Sequence, residues 1–329
     1  MQLLDTTPAA LTRLTRELGW LEPAQNITEL AVAGAGNMNV VLRAQLAPSG
    51  SLILKQSLTY VAKYPDIPAP VARIEAEVAF YQTIATSPVA ARMPRLLGFA
   101  PDLHLCAFED LGSGEDFSFL YQRDEARSIP SPALLTWLSQ LHSIAVSDAA
   151  IGDNMAMRQL NHEHIFDLPF RADSGLSFSP ALEQFRDQLL HAELRATAQA
   201  LGEIYLGRAS QPCTNCLLHG DFYPGSWVQG QDGEVMIIDP EFGFVGPAEF
   251  DVGVYLAHLL MCGLDTDALT ASLSDYTEPA GFNHTLMWQF AGVEVIRRIL
   301  GVAQLPWRAD DDTKMMWLQK AGDWMIVQR

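Results

Sequence analysis

Hydrophobic spacing along the first third of the chain changes period several times. Pro8 to Leu18 reads as a helix and is followed by a β-rich stretch. There AGAGNMNVVLRAQL, the turn Pro48-Ser49-Gly50 and SLILKQS read as two strands joined by a hairpin. A Pro-rich excursion, YPDIPAPVA, leads into RIEAEVAFYQTIA, where Ile74, Val78, Tyr81 and Ala85 recur at helical spacing. LHLCAFEDLG then reads as a strand that ends in a polar loop holding Gly112 and Gly114.

From Ser131 onward helices dominate. Ser131-Pro132 suits the N-cap and first turn of PALLTWLSQLHS, and Pro180 to Leu206 is helical in composition. TNCLLHGDFYPGSWVQG and EVMIIDPEFGFVGPAEFDVG each contain a short apolar strand running into a polar Gly/Pro loop, and LMWQFAGVEVIRRILG returns to helix. There is no internal repeat and no low-complexity tract. The layout is α+β: a small β-rich part over residues 1–110, a hinge near Glu109–Gly114, and a larger helical part over residues 111–329 with one embedded β-hairpin.

The 329 residues are 49% hydrophobic, enough for a large core divided into two lobes or domains. With 21 basic against 39 acidic residues the net charge is -18, and no Lys/Arg run interrupts the acidity. Nucleic acid and anionic membranes are therefore poor partners. No stretch approaches the roughly 18 apolar residues of a membrane span. The N-terminal residues lack the basic-then-apolar layout of a secretion signal. Cys213 and Cys216 form a CxxC pair, but Cys106 and Cys262 stand apart, so a four-ligand zinc site is not expected. A reducing cytoplasm fits best. A nucleotide site in so acidic a chain requires local positive groups and a bound metal.

The chemistry concentrates in two short strand ends. Asp221, in His219-Gly220-Asp221, follows the apolar Leu217-Leu218, where a carboxylate can be held rigidly beside a substrate hydroxyl and accept its proton. Asp239 ends the strand EVMIID, with Glu241 two residues on. Residues two apart in an extended segment point the same way, and two hard oxygen ligands suit Mg²⁺. On the N-terminal side, glycines in Gly34-Ala35-Gly36-Asn37-Met38-Asn39 allow backbone N–H groups to approach phosphates. Lys55 lies inside an apolar strand, where an ammonium needs a partner, and Glu75 and Glu77 both open the next helix. Asp251 reads as a helix N-cap that can brace the catalytic loop, with His219 doing similar work and His142 structural. In the last of these helices Leu286, Phe290, Val293 and Leu300 form a stripe that includes Arg297, which needs an anionic or polar partner there. Arg298 is rotated away, with Glu294 four residues earlier as an ordinary salt-bridge partner.

Together these segments resemble the aminoglycoside phosphotransferase/choline kinase superfamily, with its bilobal protein-kinase-like fold, and within it the 5-methylthioribose kinases. The resemblance rests on HGDFYPGS, IDPEFGFVGPAEFDVG, GAGNMNVV, LILKQSLTYV, RIE around Glu75, FEDL and FAGVEVIRRILG. It implies a kinase in which residues 1–110 bind nucleotide and residues 111–329 carry catalysis and substrate. ATP lies between the lobes with adenine near Glu109 and Leu111, under a loop that includes Gly34, Gly36, Asn37 and Asn39. Lys55, held by Glu75, engages the phosphates. Asp239, Glu241 and Ser226 hold Mg²⁺, with Ser226 standing where most kinases carry a metal-binding Asn. Asp221 orients the acceptor hydroxyl, and Arg297 with Arg298 secures a methylthioribose-like sugar. The rivals are another superfamily substrate (an amino alcohol or aminoglycoside), a nucleotide-binding pseudokinase, and a metal-dependent hydrolase. Two departures are visible: Phe222-Tyr223 replaces the family's usual Leu-His after HGD, and the stretches flanking Arg297 are shorter. A homodimer is compatible with the sequence.

Overall fold

The structure, a computed structural model, describes residues 2–3, 6–34, 38–112, 114–122, 129–145, 151–209, 214–230 and 232–326. Helix α1 (Pro8–Glu17) leads into a five-stranded antiparallel sheet ordered β1-β2-β3-β7-β6. Its strands are β1 (Asn26–Val32), β2 (Val40–Ala47), β3 (Ser51–Gln56), β6 (Leu96–Ala100) and β7 (Leu105–Glu109). Strand β4 (Tyr60–Val61) pairs antiparallel with β5 (Tyr64–Pro68), which lies inside the Pro-rich excursion that the sequence pattern leaves without structure. Helix α2 (Arg73–Ile84) follows before β6.

Strand alternation decides what this sheet shows to each side. In β3, Leu52 and Leu54 enter the small-lobe core, and Ile53 packs on the large-lobe core. Lys55, opposite Cys106 on β7, continues the Ile53 face and so points at the other lobe. Strand β7 behaves the same way. Leu105 and Ala107 belong to the small-lobe core, Cys106 and Phe108 to the large one.

The larger lobe is helical: α3 (Ser131–His142), α4 (Met155–His162), α5 (Pro180–Leu189), α6 (Ala192–Tyr205), α7 (Ala248–Met261), α8 (Thr266–Ser272), α9 (His284–Leu300) and α10 (Asp311–Met325). Helix α3 starts at Ser131 itself, with Pro130 in the N-cap position and no side-chain cap. Every residue of α7 is buried, so this helix runs through the middle of the lobe. None of the described helices is long and apolar enough to cross a membrane.

Where the sequence pattern promised one hairpin, two ladders are nested. Strand β9 (Trp227–Gln229) pairs with β10 (Val235–Ile237), and outside them β8 (Cys216–Leu218) pairs with β11 (Phe244–Gly246). The segments 219–226 and 238–243 both connect the outer ladder to the inner one. Nesting therefore brings the two acidic segments to the same end of the hairpin, although 18 positions separate Asp221 from Asp239.

Candidate active site

The two segments are fastened directly to each other. His219 Nε2 donates to the Ile238 carbonyl at 2.9 Å, and the Ile238 amide donates to the Ser226 carbonyl at 3.0 Å. Gly220 has φ +84°, and a Cβ there would lie 2.1 Å from the Phe242 carbonyl oxygen, so only glycine permits this approach. Asp251, wholly buried, accepts from the amides of His219 at 2.7 Å and Gly220 at 2.9 Å. It is not the N-cap: Pro247 holds that position, and Asp251 reaches back from the first turn of α7 as a brace. His142 supports it at 3.4 Å and is itself bonded to the Tyr276 hydroxyl at 2.7 Å. Ser226 Oγ donates to the Asp221 carbonyl at 2.9 Å, which fixes the backbone beneath the Asp221 carboxylate.

From the smaller lobe, Lys55 Nζ reaches Asp239 Oδ1 at 2.7 Å and Glu77 Oε2 at 2.7 Å. The Asp239 contact has hydrogen-bond geometry, whereas the Glu77 contact is a close ion pair off the hydrogen-bonding direction. Glu77 therefore takes the place expected of Glu75, which is exposed. The signal lay in the helix pattern: Glu77 occupies the i+3 position of the Ile74–Val78–Tyr81 stripe, and Glu75 falls off it. Burial, with Asp239 and Glu241 nearby, pushes the Glu77 carboxyl up to about 7 against the pull of Lys55. The three carboxylates outweigh the burial of Lys55 and hold it charged, its pKa well above the usual lysine value.

Glu241 is not the extended-strand neighbour of Asp239, because a tight turn over Pro240–Phe242 follows Asp239. Its Oε2 accepts from Asn39 Nδ2 at 2.7 Å, with Arg73 Nε 3.5 Å away. Arg73 was not among the expected residues. Almost fully buried, it donates to Asn39 Oδ1 at 2.8 Å and to the carbonyls of Met38, Leu58 and Pro70 at 2.9, 2.7 and 2.8 Å. The end of the glycine loop and the Asp239 loop are thus joined through Asn39, Arg73 and Glu241. Asn154 Nδ2 adds bonds to the Glu241 and Gly243 carbonyls at 3.0 and 2.9 Å. Asp239 sits in left-handed backbone (φ 61°), and its side chain is 42% exposed, which leaves it open to a ligand. No group of three His, Cys, Asp or Glu side chains among the described residues forms a metal cage. Asp239, Glu241 and the Ser226 hydroxyl are hard oxygen donors, the type Mg²⁺ uses when phosphates and water complete its shell.

On the other side of Asp221 lies an arginine cluster. Arg298 donates to Asp221 Oδ1 at 3.0 Å, and Arg297 Nη1 is 3.7 Å from the same oxygen. Both arginines also bind Glu294: Arg297 at 2.9 Å and Arg298 at 2.6 Å. Arg298 is therefore not rotated away; it is the closer of the two to Asp221 and lies over the Tyr223 ring at 4.5 Å. The stripe could not separate them, because α9 is buried on nearly all sides from Leu286 to Leu300. The two guanidinium groups hold the Glu294 carboxyl well below the usual range despite its burial.

Gly34 has φ +72° and lies in a bend, whereas Gly36 and Asn37 fall outside the described residues, as does Cys213. Glu109 is exposed at the end of β7, and Leu111 is half-buried. Between them Asp110 holds the hinge to the sheet. Arg43 grips it at 2.7 and 3.1 Å and also donates to the Gly112 carbonyl, and the Ser51 hydroxyl donates to it at 2.6 Å.

A small lobe whose lysine reaches an aspartate loop of a helical lobe, next to a second aspartate loop, is the arrangement of a phosphoryl-transfer enzyme. The model of the phosphotransferase enzyme family matches residues 32–283. This chain belongs to that family. Among curated relatives it is 27% identical over 292 residues to methylthioribose kinase 2 of Oryza sativa subsp. japonica, covering 83% of this chain and 64% of the rice protein. It is 26% identical over 332 residues to the methylthioribose kinase of Citrobacter koseri, covering 93% and 80%. Among solved structures, the choline kinase of Streptococcus pneumoniae superposes with TM-score 0.55 at 11% identity over 95% of this chain and 97% of that one. A spectinomycin phosphotransferase in complex with ADP and spectinomycin superposes with TM-score 0.53 at 11% identity, covering 98% of each chain. At such identities the structural likeness is one of fold.

Proposed function

We propose that this phosphotransferase moves the γ-phosphoryl group of ATP onto a hydroxyl of a small sugar-like acceptor, methylthioribose or a close relative. The observation that carries this reading is the fastening of the Asp221 and Asp239 segments into one site, with Lys55 entering from the opposite lobe. Residues 1–110 would hold the nucleotide, with adenine beside Glu109 and Leu111 and phosphates under the Gly34–Asn39 loop, and residues 111–329 would hold the acceptor. Lys55 would bind phosphate oxygens, and Asp239, Glu241 and Ser226 would bind Mg²⁺. Bound Mg²⁺ neutralises charge on the transferred phosphoryl group. Asp221 orients the acceptor hydroxyl and takes its proton on a carboxylate oxygen. Arg297 and Arg298 hold the acceptor beside it, and a second reading, a cationic amino alcohol or aminoglycoside, is disfavoured by two guanidinium groups at that position. Cys106, Cys216 and Cys262 are buried free thiols, in keeping with a reducing cytoplasm.

The test is ATP consumption measured over methylthioribose, other pentoses, amino alcohols and aminoglycosides. Turnover with methylthioribose or a related pentose is expected. Turnover confined to cationic acceptors would overturn the sugar reading, and none with any acceptor would favour a non-catalytic nucleotide binder.

A further inference from the structure

Helix α7 presents two polar side chains to the site, seven residues and two turns apart on one face. Asp251 is the first and holds the backbone of His219 and Gly220. His258 is the second. It is wholly buried and lies at the centre of a chain of polar contacts that ends on the Asp221 carboxylate. Its Nδ1 is 2.6 Å from the Tyr121 hydroxyl, and its Nε2 is 3.1 Å from Glu294 Oε1. Glu294 binds Arg298 Nε at 2.6 Å, and the far end of the same guanidinium, Nη2, donates to Asp221 Oδ1 at 3.0 Å.

The direction of every hydrogen bond in this chain can be assigned. Between its two arginines Glu294 is ionised and can only accept, so the hydrogen on His258 must be at Nε2. Burial lowers the His258 pKa to about 4, so the ring is neutral and Nδ1 is a lone pair. Tyr121, whose ionisation burial suppresses, is then the donor to Nδ1. Among the described residues, the groups that face the imidazole are Tyr121 from the segment before α3, Tyr223 (ring centroids 5.2 Å apart) and Asp221 from the Asp221 loop, and Glu294 and Arg298 from α9. The neutral imidazole thus serves as a donor on one side and an acceptor on the other, held by Glu294 and Tyr121.

We propose that His258 is a positioning residue for phosphoryl transfer: as the neutral Nε2–H imidazole it fixes Glu294, and through Glu294 and Arg298 it sets the orientation of Asp221. This rests on the reading of Asp221 as the base. It adds to that reading the group that holds Glu294, the carboxylate to which Arg298 Nε is bonded. One face of α7 thereby controls both halves of the loop, Asp251 its backbone and His258 its carboxylate.

The test has two arms on the full chain. Nitrogen-15 resonances of the histidines, with His258 assigned through the His258→Gln variant, should show Nε2 protonated and Nδ1 bare from about pH 6 to about pH 8. An Nδ1–H tautomer, or a ring that protonates near neutrality, would overturn the proposal. In turnover, His258→Leu should lower kcat roughly ten-fold or more while KM for ATP stays within about two-fold. His258→Gln, which restores a donor to Glu294, should recover most of that loss. Wild-type kcat in His258→Leu, or a glutamine variant as slow as the leucine one, would sink it. If His258→Leu does not fold, the tautomer and the glutamine variant still decide. If the wild type turns over no acceptor, the reaction assignment fails while the tautomer measurement still judges this proposal.

Discussion

Two buried ionic clusters flank Asp221 and Asp239, and they are built on opposite principles. At Lys55 two cations, Lys55 and Arg73, face three carboxylates, Glu77, Asp239 and Glu241, drawn from both lobes. At Asp221 two arginines face two carboxylates, all within the larger lobe, and a neutral histidine supplies a further donor. The first cluster carries an excess of negative charge that a bound cation would relieve. The second is balanced in charge, although Arg297 Nε has no hydrogen-bond partner among the described residues. Burying charge costs several kcal/mol per ion unless it is paired, and the two clusters meet that demand differently, one with a surplus of carboxylates and one with matched pairs.

The most drastic way to separate them is Asp221→Asn. It should lower turnover by ~10³-fold or more and leave nucleotide affinity nearly unchanged, because the Lys55 cluster is untouched. Single-turnover rates and a nucleotide titration check this, and parallel loss of both would mean that the clusters are not independent. Next comes Glu294→Gln, which leaves two buried guanidinium groups to share the Asp221 carboxylate and should destabilise the fold by about 3 kcal/mol in denaturant titration.

The clusters should also answer pH with opposite signs. Glu77 has a folded pKa raised from 4.5 to about 7, so its contribution to stability is full below about 4.5 and is lost as pH rises through 7. His258 has a folded pKa depressed from 6.5 to about 4, so its contribution is present above 6.5 and is lost as pH falls toward 4. Each shift corresponds to about 3 kcal/mol, and across their shared window the two effects oppose one another. Relative to wild type, Glu77→Gln should lose stability on acidification and His258→Gln should gain it, as thermal melts at several pH values would show. The smallest effect is expected at the hinge. Arg43→Ala leaves both clusters intact and should cost about 1 kcal/mol, with a modest rise in KM for ATP.

How much of this was legible beforehand follows from burial. Lys55, Asp221 and Asp239 stood out because each is a charge interrupting or ending an apolar strand, where an ionised group needs a partner. Spacing alone marked β2, β3, β7 and the change to helices from Ser131, but not β1 or β6. What spacing could not give was direction on a helix with no exposed side, which is why Arg298 was undervalued against Arg297, and why Asp251 was taken for a cap. Glu241 looked like a twin of Asp239 only while the segment was taken as extended. The left-handed turn at Asp239 breaks that alternation and sends the two carboxylates to different partners. Arg73 stood unremarked inside RIE and His258 was not singled out, since Asn39 and Tyr121, their side-chain hydrogen-bond partners, lie far along the chain.

Strand β7 separates the two interiors like a shared wall. Leu105 and Ala107 face one side of it, Cys106 and Phe108 the other. Consecutive positions on a single short strand therefore report on different halves of the molecule. A bulky replacement at 107 should loosen the sheet lobe, and one at 106 the helical lobe. Local opening of either half can thus be provoked separately and followed by amide exchange.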